Sequence, residues 1–197
     1  MESMLLYSAL ALGIASLVFA LMKKAWIEKQ DPGDDKLQEI GKAIREGAMA
    51  FMVREDRIMV VVVAAVTILL VTFKSGDLRW IAVSFVLGAF LSGLAGLIGM
   101  KAATSANTRT AHAARSGLVK ALGVAFTGGS VMGLSVVGLA IIGLAGLTLA
   151  YIKLLGVTDA TPGAMVHLME IVSGYSLGAS SVALFARVGG GIFTKAA

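Results

Sequence analysis

The chain has 197 residues, 57% of them hydrophobic and only 15% charged, against about 45–50% and about 25% in soluble domains. One soluble core of this size could not hide that much apolar surface, so lipid must be the solvent for much of the chain. With no Cys there are no disulfides, thiolate metal sites or cysteine nucleophile, and the net charge of +5 comes without the soluble basic domain or aromatic platform that nucleic acid would need.

Five apolar stretches predict an all-α, polytopic transmembrane helix bundle, read as one transmembrane domain over 1–197. The first, 4–22, is too long for a signal-peptide core, with Glu2 ahead of it and Lys23 and Lys24 behind it. The segment 31–35, Asp-Pro-Gly-Asp-Asp, signals a turn and a helix start. Asp31, Asp34 and Asp35 lack an EF-hand pattern and are expected to be solvated. The second span, 55–73, should belong to a helix that begins much earlier, because Leu37, Ile40, Ala43, Ile44 and Ala48 recur at helical spacing.

The third span, 80–100, leads into ATSANTRTAHAARSG (103–117), expected to be a short helix-and-loop connector. There Arg109 and Arg115 are expected beside lipid headgroups and His112 in a solvated or helix-capping role. The fourth span, 118–151, is long enough to tilt or project. Its Gly128, Gly129, Gly133, Gly138, Gly143 and Gly146 offer small faces to neighbours. The fifth covers 165–193. Trp26 and Trp80 suit the interfacial belt, and the continuous rather than alternating runs argue against a β-barrel.

Basic residues set the expected orientation. With the N-terminus outside, only Lys74, Arg79 and Lys153 of the 17 Lys and Arg lie on the outer side, and the rest, from Lys23 to Lys195, lie inside. That is the positive-inside pattern, and it brings the fifth helix to its end on the cytoplasmic side.

The fifth helix has one polar face. At about 100° per residue, Ser173, Ser176, Ser180, Arg187 and Lys195 share a sector, with Glu170 beside them and Gly174, Gly178 and Gly189 on the adjacent strip. The serines are candidates for lining a polar pathway. Arg187 stands among Leu184, Phe185 and Val188. It should face a cavity or a counter-charge, the bland alternative being that it snorkels to the interface. Lys195 follows eight residues on, about 12 Å further along a continuous helix. Gly189, Gly190 and Gly191 between them permit close backbone contact or a local break, and they do not match Walker spacing. His167 and Glu170 are spaced to pair with each other.

GASSVALFARVGGGIFTKAA (178–197) resembles the fifth-helix motif of membrane-bound, ion-translocating inorganic pyrophosphatases. EGAMAFMVREDR (46–57), GLIGMKAATSANTRTAHAAR (96–115) and VAFTGGSVMG (124–133) resemble further blocks of that family in its order. The resemblance implies a homodimer of roughly sixteen helices per chain, of which five would be present here. It implies cleavage of pyrophosphate on the cytoplasmic side, with outward transport of H+ or Na+ across the bilayer. Mg2+ would bridge carboxylates and substrate. By the same resemblance Lys195 contacts substrate and Arg187 belongs to an ion gate.

The family continues with an acidic stretch of the form DVGADLVGKVE, and this sequence stops at Ala197, before its first Asp. The expectation is therefore an N-terminal fragment with no metal site of its own, inactive alone. H+ versus Na+ and any K+ dependence stay open. The expected location is a prokaryotic plasma membrane, with an acidic organelle membrane as the alternative. The competing function is a non-catalytic channel or transporter half with the fifth helix lining a pore.

Overall fold

A computed structural model describes the backbone of residues 2–156 and 163–196, and the side chains of 4–156 and 163–191. It consists of five long helices: α1 (Glu2–Glu28), α2 (Asp35–Phe73), α3 (Trp80–Ala114), α4 (Leu118–Leu154) and α5 (Ala164–Ala196), with a 3-10 turn at Gly76–Arg79. All five are long and apolar enough to cross a membrane. At about 1.5 Å per residue the 39 residues of α2 run about 58 Å, roughly twice the ~30 Å hydrocarbon core, so this helix must project or tilt strongly.

The helical spacing of Leu37 to Ala48 does begin a helix, at Asp35, with no break before Phe73. The connector expectation for 103–117 is corrected: α3 runs unbroken to Ala114 and only Arg115–Gly117 form the turn. Its residues 101–114 contain no Gly or Pro and are rich in Ala, the best helix former, so nothing stops the helix earlier. Gly117, at φ 125°, then takes a conformation that a side chain would resist.

α3 is the hub. It packs extensively on α4 and α5 and less on α2, while α1 packs on α4. Neighbours fix the directions. Ile81 and Phe85 of α3 lie on Gly174 and Gly178 of α5, so these two helices run parallel. Gly99 and Ala106 lie on Met132 and Gly128, so α3 and α4 are antiparallel, as are α1 and α4 through Gly13 and Gly138. The ends of α1, α3 and α5 and the starts of α2 and α4 therefore share one side of the bundle.

The adjacent strip of α5 packs as its small residues allow. A Cβ at Gly174 would lie 2.5 Å from the Ile81 carbonyl oxygen, and one at Gly178 would strike the Phe85 carbonyl. Of the α4 glycines, Gly128, Gly138 and Gly143 meet neighbours, whereas Gly129, Gly133 and Gly146 face open space. Polar side chains also tie helices together. Ser16 donates to the Leu134 carbonyl (2.8 Å) and Ser92 to Ala179 (3.1 Å). Tyr151 donates to the Trp80 carbonyl (3.2 Å), its ring tilted against that of Trp80 at 6.0 Å.

Candidate functional site

The last turns of α5 close one wall of an intramolecular cavity of about 530 Å³. α2 supplies Phe51, Met52, Glu55, Asp56 and Met59, α3 the Leu91–Ala103 face, and α4 Met132, Val136, Leu139 and Ala140. α5 adds Tyr175, Ala179, Val182, Ala183, Ala186, Arg187 and Gly190. The lining is apolar apart from Ser92, Tyr175 and three charged residues. Arg187, itself exposed, thus contributes to a cavity wall that also carries two carboxylates.

The glycine run does not break the helix: α5 continues through Gly189–Gly191 to Ala196. Gly189 instead serves close contact, since a Cβ there would lie 3.1 Å from Phe51 Cζ and 3.3 Å from Glu55 Oε1. Lys195 lies on this continuous helix, but its side chain is outside the described residues.

Ser173, Ser176 and Ser180 are all exposed, and none lines the cavity. They form an outward-facing strip on the five-helix body, and Ser173 turns its hydroxyl back to the Glu170 carbonyl (2.6 Å). Glu170 does not pair with His167. Its Oε1 takes Lys74 Nζ at 3.2 Å, joining the end of α2 to α5 on the opposite side of the bundle from Arg187.

On the Arg187 side a clasp joins the α1–α2 turn to the end of α3. Asp31 accepts from the Gly33 N–H (2.8 Å), and Asp34 caps α2 by accepting from the Leu37 N–H (2.9 Å). Arg115 Nη1 sits 2.8 Å from Asp34, and His112 Nε2 lies 3.5 Å from Asp31. Arg109 donates to the carbonyls of Gln30 (3.1 Å) and Glu28 (3.4 Å), where α1 leaves bare acceptors. This refines two expectations. Asp31 and Asp34 lie in an exposed turn as expected but also reach His112 and Arg115, and Arg109 lies on α3 and donates to backbone carbonyls. The Leu37 N–H and the Arg115 guanidinium hold the Asp34 carboxyl below its ordinary value.

Two features escaped the sequence reading. Glu55 sits inside EGAMAFMVREDR, one turn from Phe51 on the same face, and that i,i+4 pairing with an aromatic was the available signal. A second cavity of about 440 Å³ lies between α3 and α4, with Thr104, Asn107 and Thr110 opposite Gly128 and Gly129. Among the described residues no three His, Cys, Asp or Glu gather in a group that could hold a metal ion. Magnesium therefore has no fitting ligand set among the described residues.

Long apolar helices tied by small residues and side-chain hydrogen bonds, with charged groups around an interior cavity, define a multi-pass membrane protein. Within that class the assignment is specific. Residues 14–197 match the Inorganic H+ pyrophosphatase family, and the chain belongs to it. It is 47% identical, over its whole length and 27% of the relative's, to a putative K(+)-stimulated pyrophosphate-energized sodium pump of Clostridium tetani. It is 42% identical, over 98% of the chain and 26% of the relative, to a K(+)-insensitive pyrophosphate-energized proton pump of Methanosarcina mazei. A K(+)-stimulated pyrophosphate-energized sodium pump of Thermotoga maritima is 40% identical over 93% of the chain and 26% of its own length. The chain spans about a quarter of the length of these relatives.

Proposed function

We propose that these residues form five membrane helices of a pump that couples cleavage of magnesium pyrophosphate on the cytoplasmic side to outward movement of H+ or Na+. The observation that carries the reading is Arg187 on the wall of a mostly apolar cavity that also holds Glu55 and Asp56, eight residues before Lys195 on one unbroken helix. Pyrophosphate is polyanionic, and its cleavage needs fixed positive charge where negative charge accumulates on the leaving phosphate. Lys195, five residues or about 7.5 Å along α5 beyond Gly190 of the cavity lining, supplies such a charge to substrate. Arg187 remains charged at any working pH, so it can stop or pass a cation according to which carboxylate it meets.

The basic side of the bundle, with the clasp and the α5 end, is cytoplasmic in this reading, and the N-terminus is outside. A prokaryotic plasma membrane suits these relatives' sources, and a homodimer remains part of the proposal. Magnesium supplies charge neutralisation when bound, through carboxylates other than a cluster of the described residues. These 197 residues by themselves are accordingly expected to cleave no pyrophosphate.

The test uses the full-length pump carrying this sequence, purified and placed in liposomes. Pyrophosphate should drive ion uptake. Lys195→Ala should raise KM for magnesium pyrophosphate, and Arg187→Ala should reduce transport at least as much as cleavage. Transport that proceeds without pyrophosphate or Mg2+ would point to a channel or passive transporter and sink the proposal.

A further inference from the structure

We infer that Glu55 of α2 is a positioning residue for Arg187, the counter-charge that draws the guanidinium across the cavity in one state of the pump; this rests on the gate reading of Arg187 proposed above. Three observations meet at Glu55. Its Oε1 has no solvent-accessible surface and no hydrogen-bond partner, so an acceptor waits there unused. Asp56, the next residue, is exposed and water serves it. And Glu55 Oε1 lies against Gly189, so the carboxylate is seated on α5 itself.

The helical geometry of α5 explains how the two charges could meet. Gly189, against which Glu55 is seated, and Arg187 on the cavity wall are about 160° apart around the axis. Between them on the cavity face run Ala179, Ala183, Ala186 and Gly190. None of these carries more than a methyl group, and the larger cavity-lining side chains of this arc, Val182 and Tyr175, lie more than a turn further back along α5, so the arginine stem can lie over the small residues beside it. No ion pair joins Arg187 to Glu55 in this structure, within the 4.0 Å that defines one. Arg187 is exposed here, and the arrangement paired with Glu55 is its alternative. A charge entering so apolar a space needs an opposite charge to receive it. Glu55 is the carboxylate placed to do so. The exposed arrangement leaves Arg187 to a partner elsewhere in the pump. Two discrete pairings of one arginine make a two-state element, and losing either should uncouple cleavage from transport rather than stop cleavage.

The experiment is a double-mutant cycle in the full-length pump in liposomes, reading ions moved per pyrophosphate cleaved alongside kcat and KM. Glu55→Gln keeps the shape and removes the charge. It should lower the ratio at least threefold with kcat and KM within twofold of wild type. Glu55→Asp draws the carboxylate back by one methylene and should lose less. Glu55→Gln added to Arg187→Gln should cost nothing further. An unchanged ratio in Glu55→Gln, or losses that multiply in the double variant, overturns the inference. Should Glu55→Gln fail to reach the membrane, Glu55→Asp alone decides: a wild-type ratio overturns the inference and a partial loss supports it. A wild-type protein with no pyrophosphate-driven transport sinks the pump reading, and this inference with it. Wild-type pumping with an indifferent Glu55 sinks the inference alone.

Discussion

Gly178→Ala tests how α3 holds α5. The added methyl would strike the Phe85 carbonyl oxygen, with the Phe85 carbonyl carbon at 2.8 Å and the Ala89 nitrogen at 3.0 Å. All three are backbone atoms, so no side chain can swing aside. Restoring ordinary contact of about 3.5–4.0 Å with that oxygen requires the helices to part by about 1.5–2 Å, which forfeits at least half of each pair's attraction. Phe85 is 1% exposed and so fully engaged. With about 50 atom pairs at ~0.15 kcal/mol each and half of that lost, the cost is about 4 kcal/mol. Alanine's better helix propensity returns about 0.7 kcal/mol, for a net loss of roughly 3 kcal/mol. The control is Gly93→Ala on α3, where a Cβ meets nothing within 4 Å. It should be neutral or stabilise by about 0.5–1 kcal/mol. Reversible unfolding in mixed micelles measures both. Equal stability of the two variants would refute the backbone-contact reasoning.

The clasp gives two further expectations. Arg109→Ala leaves the Gln30 and Glu28 carbonyls without their donor; amide exchange in the last turn of α1 should quicken while the centre of α4 is unaffected. Asp34 has its folded-state carboxyl lowered, so its contribution is present above the ordinary value of 3.8 and is lost as pH falls through the lower folded value. Protection of the Leu37 amide should therefore be flat from neutral pH to about 4 and drop only below it. Loss of protection already between pH 7 and 5 would contradict the cap.

Much of the fold was legible because the bilayer demands long apolar helices, and those runs stand out in the sequence. The pre-membrane half of α2 was legible too, through the spacing of Leu37, Ile40 and Ile44. The glycine strip of α5 announced close packing, but which helix it met was not readable, because Ile81 and Phe85 present carbonyls there rather than any distinctive side chain. The clasp was hidden for a similar reason. Asp31 and Asp34 find His112 and Arg115 about eighty residues away, and nothing local marks such partners. Arg187 was found as a costly charge in an apolar stretch. Glu55 was overlooked because a carboxylate between Arg54 and Asp56 reads as one more solvated charge at the start of a span.

The parallel seam between α3 and α5 has a mechanical consequence. Main chain rests on main chain at Gly88, Gly174 and Gly178, with no pliable side chain to cushion a roll of one rod upon the other. Turning α5 about its axis would swing Tyr175 or Val172 into the space those glycines leave open. A shift of α5 along its axis would therefore carry α3 with it, and through Arg109 and Arg115 it would tug on the loop that begins α2.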